Sequence, residues 1–182
     1  MSLNLVKGDN YGFNPSAHPD MFLGQALKKG LLDIDSGTGK KAYYVLVEKK
    51  GGSTTNDPLV IGNPGGPGIT SMWYLFKGLG PYKVNENGDV SVESTYSVSN
   101  FADYLLPEFP LGTGWSTTGE WLNNVEDNNA DFLVFMDKLA SGNPLITKQR
   151  PIFFHGSGYA GTLMTNMALA LKQDSWNVRG VL

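Results

Sequence analysis

The sequence contains no cysteine and only two histidines among its 182 residues. The missing thiols exclude disulfides, thiol catalysis and cysteine metal sites. Neither histidine belongs to an H-x-x-x-H or a clustered acidic motif, so we expect no metal site and no cofactor. His18 stands in a polar segment and is expected to be solvated, whereas His155 is expected to pack in the core.

The sequence also contains few basic residues. Fourteen Lys and Arg against 17 Asp and Glu give a formal net charge of −3, so no basic stripe is available for phosphates and we expect no nucleic-acid partner. No apolar run reaches 18 residues, which predicts a chain without a transmembrane segment.

Signals for the secretory pathway are missing as well. The proline after Asn14 blocks the one NPS triplet as a glycosylation acceptor, and the first residues lack an apolar leader. Together with the absence of cysteine, this favours the cytosol or an organelle such as the mitochondrion over the secretory or lysosomal route.

Segments with strand and helix character alternate along the chain. The predicted strands lie in GLLDID, KKAYYVLVEK, LVIGN, FADYLLP, RPIFFHG and NVRGVL, with a hairpin tip at NENG. The predicted helices lie in MFLGQALKKG, ITSMWYLFKGLG, EWLNNVEDNNADFLVFMDKLASG (ending at Gly142) and YAGTLMTNMALALKQ. This alternation predicts an α/β fold with a mixed, mostly parallel sheet and helices on both faces. We interpret residues 1–29 as an arm and residues 30–182 as the α/β domain.

Two glycine-rich turns follow predicted strands. They are NPGGPG after LVIGN and HGSGYAG after RPIFF, and the carboxyl ends of strands are where open α/β sheets bind ligands. The stretch IFFHGSGYAG has the strand–turn–helix layout of a nucleophile elbow, but the apex residue is Gly158. Gly156, Gly158 and Gly161 also fit the spacing of a phosphate-binding G-x-G-x-x-G, although no acidic residue follows at the required distance.

Several strings in order resemble the serine carboxypeptidase family. They are GLLDIDSGTGKKAYYVLVE, DPLVIGNPGGPGITS, LFKGLGPYKVNENG, YSVSNFADYLLPEFPLGTGWS and PIFFHGSGYAGTLM, so the resemblance covers about residues 30–182. It implies the N-terminal part of the α/β-hydrolase fold, without the helical cap and without the later strands that carry the catalytic Asp and His of the family.

The resemblance also assigns positions in the site. Gly158 falls where the family has its nucleophilic serine, and the backbone N–H groups of Gly66 and Tyr159 fall where the family forms its oxyanion hole. Of the residues that would hold the terminal carboxylate of a peptide, only Gly65 is retained. Pro64, Gly78 and Ser157 stand where the family has an asparagine and two glutamates.

These positions lead to three hypotheses of function. The first is a catalytically inactive carboxypeptidase-like protein that serves as a structural or interaction subunit, with a protein partner that completes the sheet. The partner could be a second chain of the same split fold or a large complex. The second is an active hydrolase, completed by a partner or using Ser157 as a displaced nucleophile. The third is a small-ligand or anion-binding module that uses the old cleft.

Overall fold

The computed structural model describes residues 20–92, 95–119 and 124–182. Its strands are β1 (Asp20–Phe22), β2 (Gln25–Asp35), β3 (Lys40–Val47), β4 (Leu59–Asn63), β5 (Tyr82–Val84), β6 (Val90–Val92), β7 (Asp103–Pro107), β8 (Ile152–Gly156) and β9 (Val178–Val181). Its helices are α1 (Met72–Lys77), α2 (Val125–Gly142) and α3 (Tyr159–Gln173), with a short 3₁₀ helix at Val98–Asn100.

Seven of these strands form one sheet in the order β1-β2-β3-β7-β4-β8-β9. The first strands pair antiparallel up to β7, whereas β7, β4, β8 and β9 run parallel. The remaining two strands, β5 and β6, form a separate hairpin around the predicted NENG tip. The mixed, mostly parallel α/β sheet predicted from the sequence is confirmed.

Every residue of the central strands β4 and β7 is buried, because helices cover both faces of the sheet. Alternation along β4 sends Leu59 and Ile61 into one apolar cluster and Val60 into the other. The first cluster packs under α2 and α3, and the second packs under α1. Within the described ranges, no helix has both the length and the apolar character needed to cross a membrane.

The short helix predicted within residues 21–30 is wrong. Leu23 and Gly24 have φ of +49° and +81° and form a turn between β1 and β2, and β2 then pairs with β3 along its length. The strand pairing decides the structure here, because Gly30 lies opposite Tyr44 and its missing side chain leaves room for the tyrosine ring. The boundary drawn between residues 29 and 30 therefore falls inside β2.

The remaining predicted segments differ from the structure only at their ends, or lie partly outside the described residues. Residues 1–19 of the predicted arm (residues 1–29), with His18, lie outside the described residues, as do the first residues of the third predicted helix, among them Trp121 and Leu122. Helix α2 begins at Val125, where the side chain of Asn124 accepts a hydrogen bond from the Asp127 N–H at 2.7 Å. Gly142 is the last helical residue, and Asn143 follows it as the C-cap.

A buried ion pair fixes the start of β7 to the loop before β8. The Arg150 Nη2 lies 3.0 Å from Asp103 Oδ2, and the two side chains are 0% and 2% exposed. Arg150 also donates to the carbonyls of Asp57 at 2.8 Å and Leu145 at 3.1 Å. The second carboxylate oxygen of Asp103 accepts from the Lys49 N–H at 2.7 Å, so both charged groups have hydrogen-bond partners besides each other.

We predict that Arg150→Met lowers the free energy of unfolding by about 3–5 kcal/mol, because the variant leaves the Asp103 carboxylate buried and unpaired. Urea unfolding followed by circular dichroism measures the change. The matched control is Arg179→Met on the exposed face of β9, where a surface substitution is expected to change stability by no more than about 0.5 kcal/mol. Equal losses in the two variants would contradict this account of the pair.

Candidate functional site

The turn between β8 and α3 has Gly158 at its apex. Gly158 adopts φ +57° and ψ −126°, a conformation that residues with a side chain rarely adopt. It is exposed, and a Cβ built on it would meet no heavy atom within 4 Å. The position that the resemblance assigns to the nucleophile therefore has room for a side chain but holds none.

A second turn follows β4 and is organised by Asn63. This residue is buried, and its side-chain Nδ2 donates to the Phe109 carbonyl at 2.9 Å. Its Oδ1 accepts from the Gly65 N–H, also at 2.9 Å, which is the bond that asparagine uses to form a turn. Gly65 and Gly66 then have φ of +103° and +120°, values that only glycine adopts without strain.

The two turns lie against each other. Strands β4 and β8 are parallel neighbours with Asn63 opposite Gly156, so both turns leave the sheet at the same level. A Cβ on Gly65 would lie 2.5 Å from the Ser157 carbonyl oxygen, and the Ser157 hydroxyl donates to the Pro64 carbonyl at 3.0 Å. The structure thus brings together Pro64, Gly65, Ser157 and Gly158.

The hydroxyl of Ser157 is engaged in structural hydrogen bonds. Besides donating to Pro64, it accepts from the Tyr74 hydroxyl at 3.2 Å. A serine becomes a nucleophile when a base takes its proton. Here the proton points to a backbone carbonyl, and no histidine or carboxylate in the described part of the chain hydrogen-bonds to the oxygen.

Tyr74 connects Ser157 to Gly78, the C-cap of α1. A Cβ on Gly78 would lie 2.5 Å from Cδ1 of the Tyr74 ring, while the hydroxyl at the other end of that ring reaches Ser157. The tyrosine therefore occupies the space between the two positions where the resemblance places glutamates. A longer side chain at Gly78 would have to displace it.

The expected oxyanion donors are the backbone N–H groups of Gly66 and Tyr159. Within the described residues, neither N–H group makes a hydrogen bond. That is the usual state of an N–H in the first turn of a helix, where Tyr159 lies. Both groups remain available to an acceptor.

His155 lies just before the turn on β8. Its ring centroid is 4.9 Å from that of Tyr74, and burial lowers the pKa of its imidazole. Its Nδ1 is buried without a hydrogen-bond partner among the described residues. In the same part of the chain, no three His, Asp or Glu side chains are placed to hold a metal ion.

Comparison with known proteins explains this combination of turns. A model of the serine carboxypeptidase family matches residues 18–180. The chain is 34% identical over 161 residues to serine carboxypeptidase-like 36 of Arabidopsis thaliana, covering 84% of this chain and 33% of the relative. It is 30% identical over 143 residues to serine carboxypeptidase ctsa-4.1 of Caenorhabditis elegans, covering 77% and 30%.

The chain belongs to the serine carboxypeptidase family. Its fold is that of an α/β-hydrolase. It matches the solved structure of Kex1(Δ)p, a prohormone-processing carboxypeptidase from Saccharomyces cerevisiae, with a TM-score of 0.73 and 20% sequence identity. The match covers 86% of this chain and 38% of that one. The chain spans about a third of the length of the curated relatives it matches.

Three residues of this carboxypeptidase-like site were not predicted from the sequence: Asn63, Tyr74 and Glu108. An asparagine between a strand and Pro-Gly-Gly is itself a turn signal, so Asn63 could have been found. Tyr74 bonds to a residue 83 positions away, and Glu108 to one 38 positions away. No local pattern predicts such contacts.

Glu108 is a buried carboxylate behind the second turn. It is 1% exposed, and its Oε1 accepts from the Thr70 hydroxyl at 2.5 Å. Its Oε2 has no hydrogen-bond partner among the described residues and lies against Gly114. Burial raises the pKa of Glu108, while the Thr70 bond favours the charged form and opposes the shift.

We predict that Glu108→Gln makes the protein more stable than wild type at neutral pH, and that the difference grows as pH rises. Between the ordinary and the raised pKa of Glu108, the folded chain holds a proton that the unfolded chain has released. The wild-type free energy of unfolding therefore falls as pH rises through this window, and the variant lacks that fall. Urea unfolding between about pH 4 and pH 8 measures the difference.

Thr70→Val supplies the matched comparison for this pH dependence. It removes the hydroxyl that stabilises the charged carboxylate, so the decline in stability should extend to higher pH than in wild type. A pH dependence that is identical in wild type, Glu108→Gln and Thr70→Val would show that Glu108 does not titrate as its burial requires.

We predict that Gly65→Ala destabilises the fold more than Gly158→Ala. Both glycines have positive φ, so each alanine introduces backbone strain of about 1–3 kcal/mol. Only the Cβ at position 65 also meets a neighbouring backbone atom, the Ser157 carbonyl oxygen at 2.5 Å. Thermal unfolding of both variants gives the order, and a larger loss for Gly158→Ala would show that the two turns are not in this close contact.

Proposed function

We propose that this serine carboxypeptidase-like chain is catalytically inactive and acts as a structural or interaction subunit of a larger assembly. The observation that carries the proposal is the apex of the turn, where Gly158 offers no side-chain oxygen. Acyl transfer through a covalent intermediate requires a nucleophile at the point where the oxyanion donors meet the substrate. The adjacent Ser157 hydroxyl donates to a carbonyl instead.

The losses at the carboxylate-binding positions support the same conclusion. Proline at position 64 has no N–H to donate, and Gly78 carries no side chain. Tyr74 fills the space between Gly78 and Ser157, and neither of these two positions presents a carboxyl group to the end of a peptide. Several independent positions thus lack the groups that peptide hydrolysis would require.

The distribution of apolar surface supports a protein partner. Among the strands that the structure describes, β9 is the outermost of the sheet on its side and pairs only with β8. Val181 and Leu182 are 41% and 77% exposed, and Leu169 on the neighbouring helix α3 is 54% exposed. An uncovered strand edge beside exposed apolar side chains favours association. We propose that further polypeptide adds to the sheet at this edge.

We predict that a fluorophosphonate probe does not label this chain. The probe reacts with activated serine hydroxyls, and the Ser157 proton is held by the Pro64 carbonyl. Intact-mass spectrometry after incubation measures labelling, with an active carboxypeptidase as the positive control. Stoichiometric modification of wild type that disappears in Ser157→Ala would overturn the proposal in favour of a displaced nucleophile.

The assembly itself is tested at the β9 edge. We predict that Val181→Lys, which places a charge on the exposed edge, weakens co-purification of the native partner when the tagged chain is recovered from its source. The matched control is Val134→Lys on α2, a helix that is not part of the β9 edge, where the side chain is 37% exposed. A chain that purifies as a stable, well-dispersed monomer with a cooperative thermal transition would contradict the subunit role.

A further inference from the structure

The tip of the hairpin between β5 and β6 carries the one Asn-Gly pair of the sequence, Asn87-Gly88. Both residues are exposed, and the Asn87 side chain makes no hydrogen bond to the described residues. The side chain of Asn85 is engaged instead. Its Oδ1 accepts from the Asn87 N–H at 3.0 Å and the Asp89 N–H at 2.9 Å, and its Nδ2 donates to the Asp89 carboxylate at 3.0 Å. Of the two asparagines, only Asn87 has a free carboxamide.

The backbone nitrogen of Gly88 is the group next to that carboxamide. Gly88 has φ +85°, and a Cβ built on it would meet no heavy atom within 4 Å. Because glycine has no side chain, nothing on Gly88 itself blocks the approach of its nitrogen to the Asn87 side chain. Its N–H donates to the Asn85 carbonyl at 3.0 Å, so this bond must open first. Strands β5 and β6 have three residues each and form a sheet of their own, and such hairpins open readily.

We propose that Asn87 is a site of spontaneous deamidation. The Gly88 nitrogen attacks Cγ of Asn87 and loses its proton to solvent, which closes a five-membered cyclic imide. The bond from Cγ to Nδ2 breaks, and the leaving nitrogen takes a proton from water and departs as ammonia. Water then cleaves the imide on either side of the ring nitrogen. The net reaction consumes one water, releases one ammonia and leaves aspartate or isoaspartate at position 87.

Either product changes the hairpin tip. The new carboxylate stands beside Glu86 and Asp89, and like charges at this spacing repel each other. Isoaspartate also adds one backbone carbon inside the loop that the Gly88 and Asp89 N–H groups close onto Asn85. We expect the modified tip to lose these bonds. The hairpin shares no residue with the two glycine turns, so the modification is independent of the proposed loss of catalysis.

The test incubates the full chain in mildly alkaline buffer and follows each asparagine by peptide mapping with mass spectrometry. Asn56 is the matched internal control. It is exposed, and the following N–H, that of Asp57, donates to the Thr54 carbonyl at 3.2 Å, but Asp57 has a Cβ. We expect Asn87 to deamidate at least about tenfold faster than Asn56, a difference of about 1.4 kcal/mol in the barrier. We also expect isoaspartate among the products, because only the imide route forms it.

Two variants separate the parts of the proposal. Gly88→Ala should slow the reaction at Asn87. Alanine at positive φ favours an open turn, so a slower rate can come only from the added Cβ. Asn85→Ala should speed the reaction, because it removes the three side-chain hydrogen bonds that hold the turn closed.

Thermal unfolding of both variants checks that the rest of the fold is intact. The site is refuted if Asn87 reacts no faster than Asn56, if aspartate forms without isoaspartate, or if Gly88→Ala reacts as fast as wild type. An unchanged rate in Asn85→Ala would refute the requirement that the turn opens first.

Discussion

Two backbone turns in van der Waals contact are the constraint on which this site depends. Parallel pairing of β4 and β8 places Asn63 opposite Gly156, so the chain turns away from the sheet at the same height in both strands. The second turn must then pass the Ser157 carbonyl at a distance that excludes a Cβ on Gly65. The Asn63 side chain and the hydrogen bond from Ser157 to Pro64 hold the turns in that position.

The same constraint explains why the site can keep its shape while its chemistry changes. The backbone at position 158 adopts φ +57° and ψ −126°, and a serine there would carry strain that glycine avoids. A chain that performs acyl transfer tolerates such strain because the strain places the nucleophile. A chain with no such task is more stable with glycine, which fits the proposed loss of catalysis.

Short segments that are bounded by glycine or proline could be predicted from the sequence, whereas contacts between residues far apart in the sequence could not. Strand β4 and helix α3 have the predicted bounds. The short apolar run of β4 ends before Pro64, and the helical pattern of α3 begins after Gly158. The segment before residue 30 fits a helix or a strand locally, and the choice depends on Tyr44 of β3 lying over Gly30. The glycines of the site were visible as turns. Tyr74 and Glu108 were not, because their partners are distant in sequence.

The two edges of the sheet differ in a way that bears on association. One edge is β1, only three residues long, and short edge strands resist pairing with other chains. The other edge is β9, none of whose residues is fully buried, while β4 and β7 are buried throughout. Exposed apolar side chains occur on both β9 and the neighbouring helix α3, so the proposed partner would contact the helix as well as the strand edge. The proposed association would then bury apolar surface on the strand and on the helix together, in keeping with the layered architecture of α/β folds, in which helices pack on the faces of the sheet.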